Sequence, residues 1–440
     1  MDETKKNVET ESARSKVPMN ARLGLGGNMA TMAGWVIVIS SMMVGGGIGL
    51  AFPPKLAIPI ILFACFSNCF VAVLVGSIGA RTGYSTGLVF RFAYGEKGTL
   101  LTNLAMAFSA MGWFSVIINS TRDAVAQQFG VQAGTVTFFV ILVAISILFV
   151  APAFKSIKWI KYVNYICVPA LLAAIIYVSI SVINGHGGIK EVMAISTTPS
   201  MTVLMGYSTA AGGWLQGATV SSDLSRYCKS GKQSIWVMLF SFGLMVFLQF
   251  AGAAIGAACT GEYNIFLMLS AVGAGFIAFL AVFLGSWSTG QSIMYGASLQ
   301  TSAPPMPMFK TEERTRKIWV VILWAIALIG SQIGLETIVN WWNSFLACLV
   351  APVAITVILD YYAFPERQAM YESGAEPDMK VNPAAVLAWL VSFIIGLVCN
   401  KYQFFCPVIV SMAVAAVIYY VWMRAALNKK KNPEQMLLGK

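Results

Sequence analysis

The sequence predicts an all-α, polytopic membrane protein of twelve transmembrane helices, and three observations predict it. Of 440 residues, 58% are hydrophobic and only 11% are charged. Apolar runs of about 20 residues, enough to cross a bilayer core as a helix, recur from residue 30 to residue 424. The lysines and arginines alternate from loop to loop. With the N-terminus inside, 25 of the 29 basic residues fall on the inner side, leaving only Lys55, Arg122, Lys190 and Lys401 outside. A missed or invented span would reverse every later loop, so this pattern supports the span number as well as the orientation. The net charge of +11 is thus a topology signal and implies no nucleic acid.

The elements follow in order. A polar tail, 1–29, has no apolar leader of the cleaved-signal kind, so the first span, 30–52, is expected to direct its own insertion. The next four spans are 57–80, 100–121, 132–153 and 163–184, after which the external loop NGHGG carries the lone His186 as an exposed turn residue. Five more spans follow at 200–221, 234–259, 265–298, 318–334 and 337–360. A cytoplasmic loop, 361–382, two additional helices within 383–424 and a tail, 425–440, complete the chain. The expected organisation is a ten-helix core, 30–360, in halves 30–184 and 200–360. The polar stretches 301–317 and 364–383 are too short to bury a core and read as connectors. Both termini are expected inside a cytoplasmic (inner) cell membrane.

Glycine clusters interrupt two spans. The first span reads VIVISSMMVGGGIGL, with Gly45, Gly46, Gly47 and Gly49; the sixth reads AGGWLQGA, with Gly212, Gly213 and Gly217. Either cluster alone reads as close helix packing through small residues. The pair lies five spans apart, an odd number, so a repeat of spans 1–5 by spans 6–10 is inverted across the membrane. In such repeats broken helices meet at a site near the midplane. The glycines are therefore expected to let both helices unwind, freeing amides and carbonyls for a ligand.

Two tryptophans stand mid-span beside glycine: Trp113 in AMGWFSVIIN and Trp214 in GGWLQG. Tryptophan in membranes favours the headgroup level, so this placement suggests ring faces offered to a flat heteroaromatic ligand, with ordinary core packing as the alternative. In the eighth span, GSWSTGQSIMYGASL, Ser288, Gln291, Ser292 and Tyr295 recur at i, i+3, i+4 and i+7, with Thr289 adjoining. Single hydroxyls on buried helices often bond back to their own backbone. A whole stripe next to unwound carbonyls suits a small alkali cation, while Gln291 offers donors and an acceptor to a polar solute.

Asp123, Asp223, Glu262, Glu336 and Asp360 all fall near span ends, none at the glycine clusters. That points to a neutral ligand and a cation site that does not titrate. Asp223 and Arg226 read as a local ion pair at the membrane surface. The eight cysteines show neither metal-ligand spacing nor an external pair and read as small core residues. Clustered acids, a histidine-rich metal set and an activated nucleophile are all missing, so no enzyme and no cofactor are expected.

The stretches RFAYGEKG (91–98), MGWFS (111–115), GGWLQGATVSSDLSRY (212–227), STGQSIMYGASLQ (288–300) and APVAITVILDYY (351–362) resemble the nucleobase:cation symporter family of cytosine, purine, hydantoin and allantoin permeases. The similarity runs from about residue 22 to residue 425. It implies an inverted five-plus-five repeat with two extra helices, alternating access, and a base held between aromatics of spans 3 and 6. By this resemblance Trp113 and Trp214 match the stacking positions and Gln216 a polar contact; Gly46 and Gln291 complete the expected substrate set. The family's sodium site maps onto the carbonyls of Val38, Ser41 and Gly285 and the hydroxyls of Ser288 and Thr289. Ile117 stands where hydantoin permeases carry glutamine, and Gly290 where cytosine permeases carry asparagine. The expected function is import of a neutral nucleobase or related ring coupled to sodium, with proton coupling, or an amino-acid symporter of the same fold, as alternatives. The expected partners are the bilayer, the base and the coupling cation.

Overall fold

A computed structural model describes residues 15–154, 157–273, 275–302, 312–332, 335–374 and 376–431. Among them every extended element is a helix, and one isolated parallel bridge joins Leu23 to Cys228. The first five spans and their connectors are built from α1 (Leu25–Val36), α2 (Ile39–Ala51), α3 (Pro54–Thr82), α4 (Thr86–Tyr94), α5 (Thr99–Gln128), α6 (Val136–Val150), α7 (Ile157–Gly185) and α8 (Ile189–Ala194). The next five are built from α9 (Val203–Thr219), α10 (Ser222–Ser225), α11 (Gly231–Thr260), α12 (Ile265–Ala271), α13 (Gly275–Ser302), α14 (Glu312–Gly330) and α15 (Leu335–Tyr362). The C-terminal part holds α16 (Pro365–Ser373), α17 (Pro383–Lys401) and α18 (Pro407–Lys431).

Seven of the described helices are long and apolar enough to cross a bilayer, eight if the bent pair α1–α2 is one span. Helices α7, α9, α13 and α14 occupy the other four expected spans. The eighth span is shorter than expected, because α12 and a turn at Val272–Gly273 precede α13. Of the expected tails and connectors, residues 1–14, 303–311 and 432–440 lie outside the described residues.

Packing has the exchange pattern of a repeat. Helix α2 lies on α11, and α9, its counterpart five spans later, lies on α3. Helix α13 packs on α5 and on α7, while α15 packs on α5. Spans 1 and 7, 6 and 2, 8 and 5, 3 and 10 thus pair as two inverted halves require, with spans 3 and 8 meeting across the pseudo-symmetry axis. Helices α17 and α18 pack together on α15.

The end of the bundle where α4 and α16 lie is tied down by polar contacts that a lipid environment would leave costly if unmade. Arg367 of α16 is buried and donates through Nε to Asp360 Oδ1 (2.8 Å), through Nη2 to Asp360 Oδ2 (3.1 Å) and the Phe92 carbonyl, and through Nη1 to Asp378 (2.7 Å). Tyr371 and Tyr419 also donate to Asp360, at 2.7 and 2.6 Å. Asn382 adds a bond to the Ala93 carbonyl (2.7 Å), so α4, α15, α16 and α18 converge on one carboxylate. At its other end α4 is held by the sixth span: the Thr86 amide donates to Asp223 (2.8 Å) and its hydroxyl to the Val220 carbonyl (3.0 Å). Asp223 therefore caps α4, and the Arg226 guanidinium, which bonds the Asp223 backbone carbonyl (3.1 Å), also acts on its carboxylate as the local ion pair expected.

Candidate substrate and cation site

The first span breaks at Ile37–Val38, where α1 and α2 meet at 58°. Both residues are extended, Val38 with φ −142° and ψ 149°. A break in an apolar region needs partners for its backbone groups, and Gln249 of α11 supplies them. Its Oε1 accepts from the Val38 amide (3.0 Å) and its Nε2 donates to the Val36 carbonyl (3.1 Å), with the side chain fully buried. The sixth span breaks at Val220–Ser221, between α9 and the short α10; Ser221 and the α10 residues Ser222 and Ser225 bond carbonyls of α3.

Both breaks lie outside the glycine clusters, which corrects the expectation that those glycines unwind their helices. Helix α2 runs unbroken through Gly45, Gly46, Gly47 and Gly49 because three of them seat a neighbouring backbone. A methyl at Gly45 would lie 2.4 Å from the Phe250 carbonyl oxygen, at Gly49 2.3 Å from that of Ala254, and at Gly46 2.6 Å from that of Tyr263. Gly46 thus faces Tyr263 within a helix and lies seven residues or more beyond the break. In α9, Gly212 seats the Asn343 carbonyl and Gly213 the side chain of Val44. The packing alternative is what the chain uses.

The tryptophans are buried, with 5% of Trp113 and 8% of Trp214 exposed. The neighbouring glycines are packed: Gly112, before Trp113, receives the ring of Trp342, Gly213, before Trp214, the side chain of Val44, and the Trp214 ring itself lies over Gly217. Trp214 makes edge contacts with Trp35 (5.7 Å) and Phe242 (5.5 Å), and its indole Nε1 donates to Ser41 Oγ at 2.6 Å. Gln216 joins the two tryptophan-bearing helices. It accepts from Ser109 Oγ (2.7 Å), one turn before Trp113, and donates to the Met106 carbonyl (3.0 Å). Ile117 is fully buried, and a side chain at Gly290 would meet Phe149 and Phe114 at 3.1 and 3.3 Å.

Helix α13 touches both α2 and α5 and buries Ser288, Thr289, Gln291 and Tyr295. The back-bonding alternative holds for two hydroxyls of the expected stripe: Thr289 donates to the Gly285 carbonyl (2.9 Å) and Ser292 to that of Ser288 (2.8 Å). A hydroxyl that donates keeps its lone pairs for a cation. Val38 and Ser41 sit at the start of α2, where the Ser41 amide donates to the Val38 carbonyl (3.2 Å). Among the described residues no three His, Cys, Asp or Glu side chains gather as a metal site. The side chain of Glu336 lies outside the described residues.

The chain matches the model of the permease family for cytosine/purines, uracil, thiamine and allantoin over residues 9–423. The chain belongs to this family. Within curated proteins it is 26% identical over 390 residues to the cytosine permease of Escherichia coli (strain K12), covering 86% of each chain. It is 21% identical over 333 residues to the hydantoin permease of Microbacterium maritypicum, covering 70% of this chain and 67% of the relative. Among solved structures, Mhp1, a nucleobase-cation-symport-1 family transporter held closed with bromovinylhydantoin bound, superposes with a TM-score of 0.77 at 18% identity over 96% of both chains. A Na+-coupled sialic acid symporter superposes at 0.58 with 13% identity, covering 90% of this chain and 96% of that one. The fold is therefore that of the inverted-repeat transporters, and this family member is a multi-pass membrane permease rather than an enzyme.

Proposed function

We propose that the protein imports a neutral nucleobase or closely related ring, drawn in with sodium by alternating access across a cytoplasmic membrane, both termini inside. The observation that carries this is the joining of the helices that bear Trp113 and Trp214 through Ser109 and Gln216, beside a first-span break that Ser41 ties to the Trp214 indole. Two indoles from different helices suit a flat ring, whereas a small amino acid would leave them unused. Gln216 and Gln291 supply the donors and acceptors that distinguish one ring edge from another. Ile117 and Gly290 remove polar contacts that relatives carry, so selectivity here rests on the two glutamines.

In this reading the cargo cation is held by the carbonyls of Val38, Ser41 and Gly285 and the hydroxyls of Ser288 and Thr289. Hard neutral oxygens suit sodium and have no proton to exchange. Of the acids near span ends, Asp360 is consumed by Arg367 and two tyrosines, Asp223 caps α4 and Asp123 pairs with Arg122. The test is whole-cell uptake of labelled cytosine, adenine, uracil, hydantoin and allantoin, with and without sodium. Uptake of one or more that requires sodium and stays nearly flat from about pH 6 to 8 is expected, since ordinary carboxylates titrate below that range. Sodium-free uptake that follows an imposed proton gradient would move the coupling to a proton, with Asp223 the first group to replace.

A further inference from the structure

We propose that Ser41 is the positioning residue through which cation and ring affect one another, its carbonyl serving the ion and its hydroxyl orienting Trp214; this rests on the functional reading above. The two groups belong to one residue in the first turn of α2, three positions after the extended Val38. The hydroxyl accepts from the Trp214 indole at 2.6 Å, with Ser41 2% and Trp214 8% exposed. An indole N–H is only a donor, and buried donors seek a partner, so the hydroxyl's position selects the ring's tilt.

The rest of the break is held by α11. Gln249 fixes the Val36 carbonyl and the Val38 amide, and Phe250 and Ala254 press against Gly45 and Gly49. The turn between these two anchors, which bears Ser41, is the part left to adjust when a cation draws the Val38 and Ser41 carbonyls together. Because the hydroxyl rides on the same residue, the adjustment reaches Trp214 without any intervening side chain. Linkage requires the reverse effect: a ring stacked on Trp214 fixes Ser41 and raises cation affinity by the same factor.

The experiment measures equilibrium binding of the base panel above to purified full-length protein with and without sodium, in the parent, Ser41→Ala, Ser41→Thr, Trp214→Phe and Ser41→Ala/Trp214→Phe. In the parent, sodium is expected to tighten binding of the transported base on the order of 5- to 150-fold. Ser41→Ala should cut that factor by roughly 2- to 12-fold, the worth of one hydrogen bond, and Ser41→Thr should restore it. Trp214→Phe keeps a ring without the N–H, so it should lose the same sodium dependence, and the double variant should lose no more than either single one. A sodium factor in Ser41→Ala equal to the parent's overturns the role of Ser41 and leaves the symport reading intact. A parent that binds no base of the panel, or binds without regard to sodium, overturns both.

Discussion

Alanine at Gly45 or Gly49 separates a packing seam from a hinge. The glycines of α2 contact backbone atoms of α11, and ordinary contact for an added methyl begins near 3.4 Å. The approaches of 2.4 and 2.3 Å to Phe250 and Ala254 fall short of that, so the two helices must part by about 1 Å at each site. Overpacking of this kind costs about 1–3 kcal/mol. Residues four apart lie on one helix face, so a single separation accommodates both methyls and the double variant should lose less than the sum. Gly47 provides the control, since a methyl there meets nothing within 4 Å. Gly47→Ala should gain about 0.5–1 kcal/mol by removing a flexible residue from a helix interior. Chemical unfolding of each variant in detergent, read against the parent, measures the differences. If Gly45→Ala and Gly49→Ala unfold at the same midpoint as Gly47→Ala, the seam is wrong and the flexibility reading returns.

Other expectations concern the ring, the cation and the two polar hubs. Trp113→Ala and Trp214→Ala should each weaken base binding by roughly 5- to 150-fold, from about 1–3 kcal/mol of stacking, with phenylalanine retaining more; parent-like binding by both refutes the stacking site. Replacing Ser288 and Thr289 together by alanine should abolish the sodium effect on uptake while the protein still folds, as judged by its unfolding midpoint. Gln249→Leu leaves the Val38 amide and Val36 carbonyl without their partner and should cost about 1–3 kcal/mol, with uptake falling more than stability. Arg367→Met strands the buried Asp360 with tyrosine hydroxyls alone and should cost about 3–5 kcal/mol, whereas a variant as stable as the parent would show the pair to be dispensable.

The spans were legible because a bilayer imposes one length and one polarity on every crossing helix, and because the basic residues alternate from loop to loop along the chain. The breaks were not. Glycine-rich stretches attract attention as weak points, yet glycine also admits the closest backbone approach, and local sequence does not separate these uses. The first-span break falls between Ile37 and Val38, two apolar β-branched residues, and its cause lies 211 positions away in Gln249. A signal existed: VFLQF sets one glutamine deep in an apolar span, where an amide with two donors and an acceptor demands backbone partners. Ser41 carried the same kind of signal in VISSMM, but its partner indole arrives from another repeat and could be found only in three dimensions. Asp360 read correctly as a helix-end residue, although its sequestration by Arg367, Tyr371 and Tyr419 depends on the fold of the loop that follows.

Helix α4 has the proportions of a strut. Its nine residues span about 13 Å, one end pinned to Val220 and Asp223 at the sixth-span break, the other to Arg367 and Asn382. A rod fixed at both ends transmits displacement until its weaker joint fails. Here that joint is Thr86, whose two hydrogen bonds face a carboxylate and a carbonyl, against a far end locked by a guanidinium buried among four elements. A shift of the end of the sixth span relative to the C-terminal helices must therefore either be carried by α4 or part at Thr86, while the serines of that end keep their hold on α3.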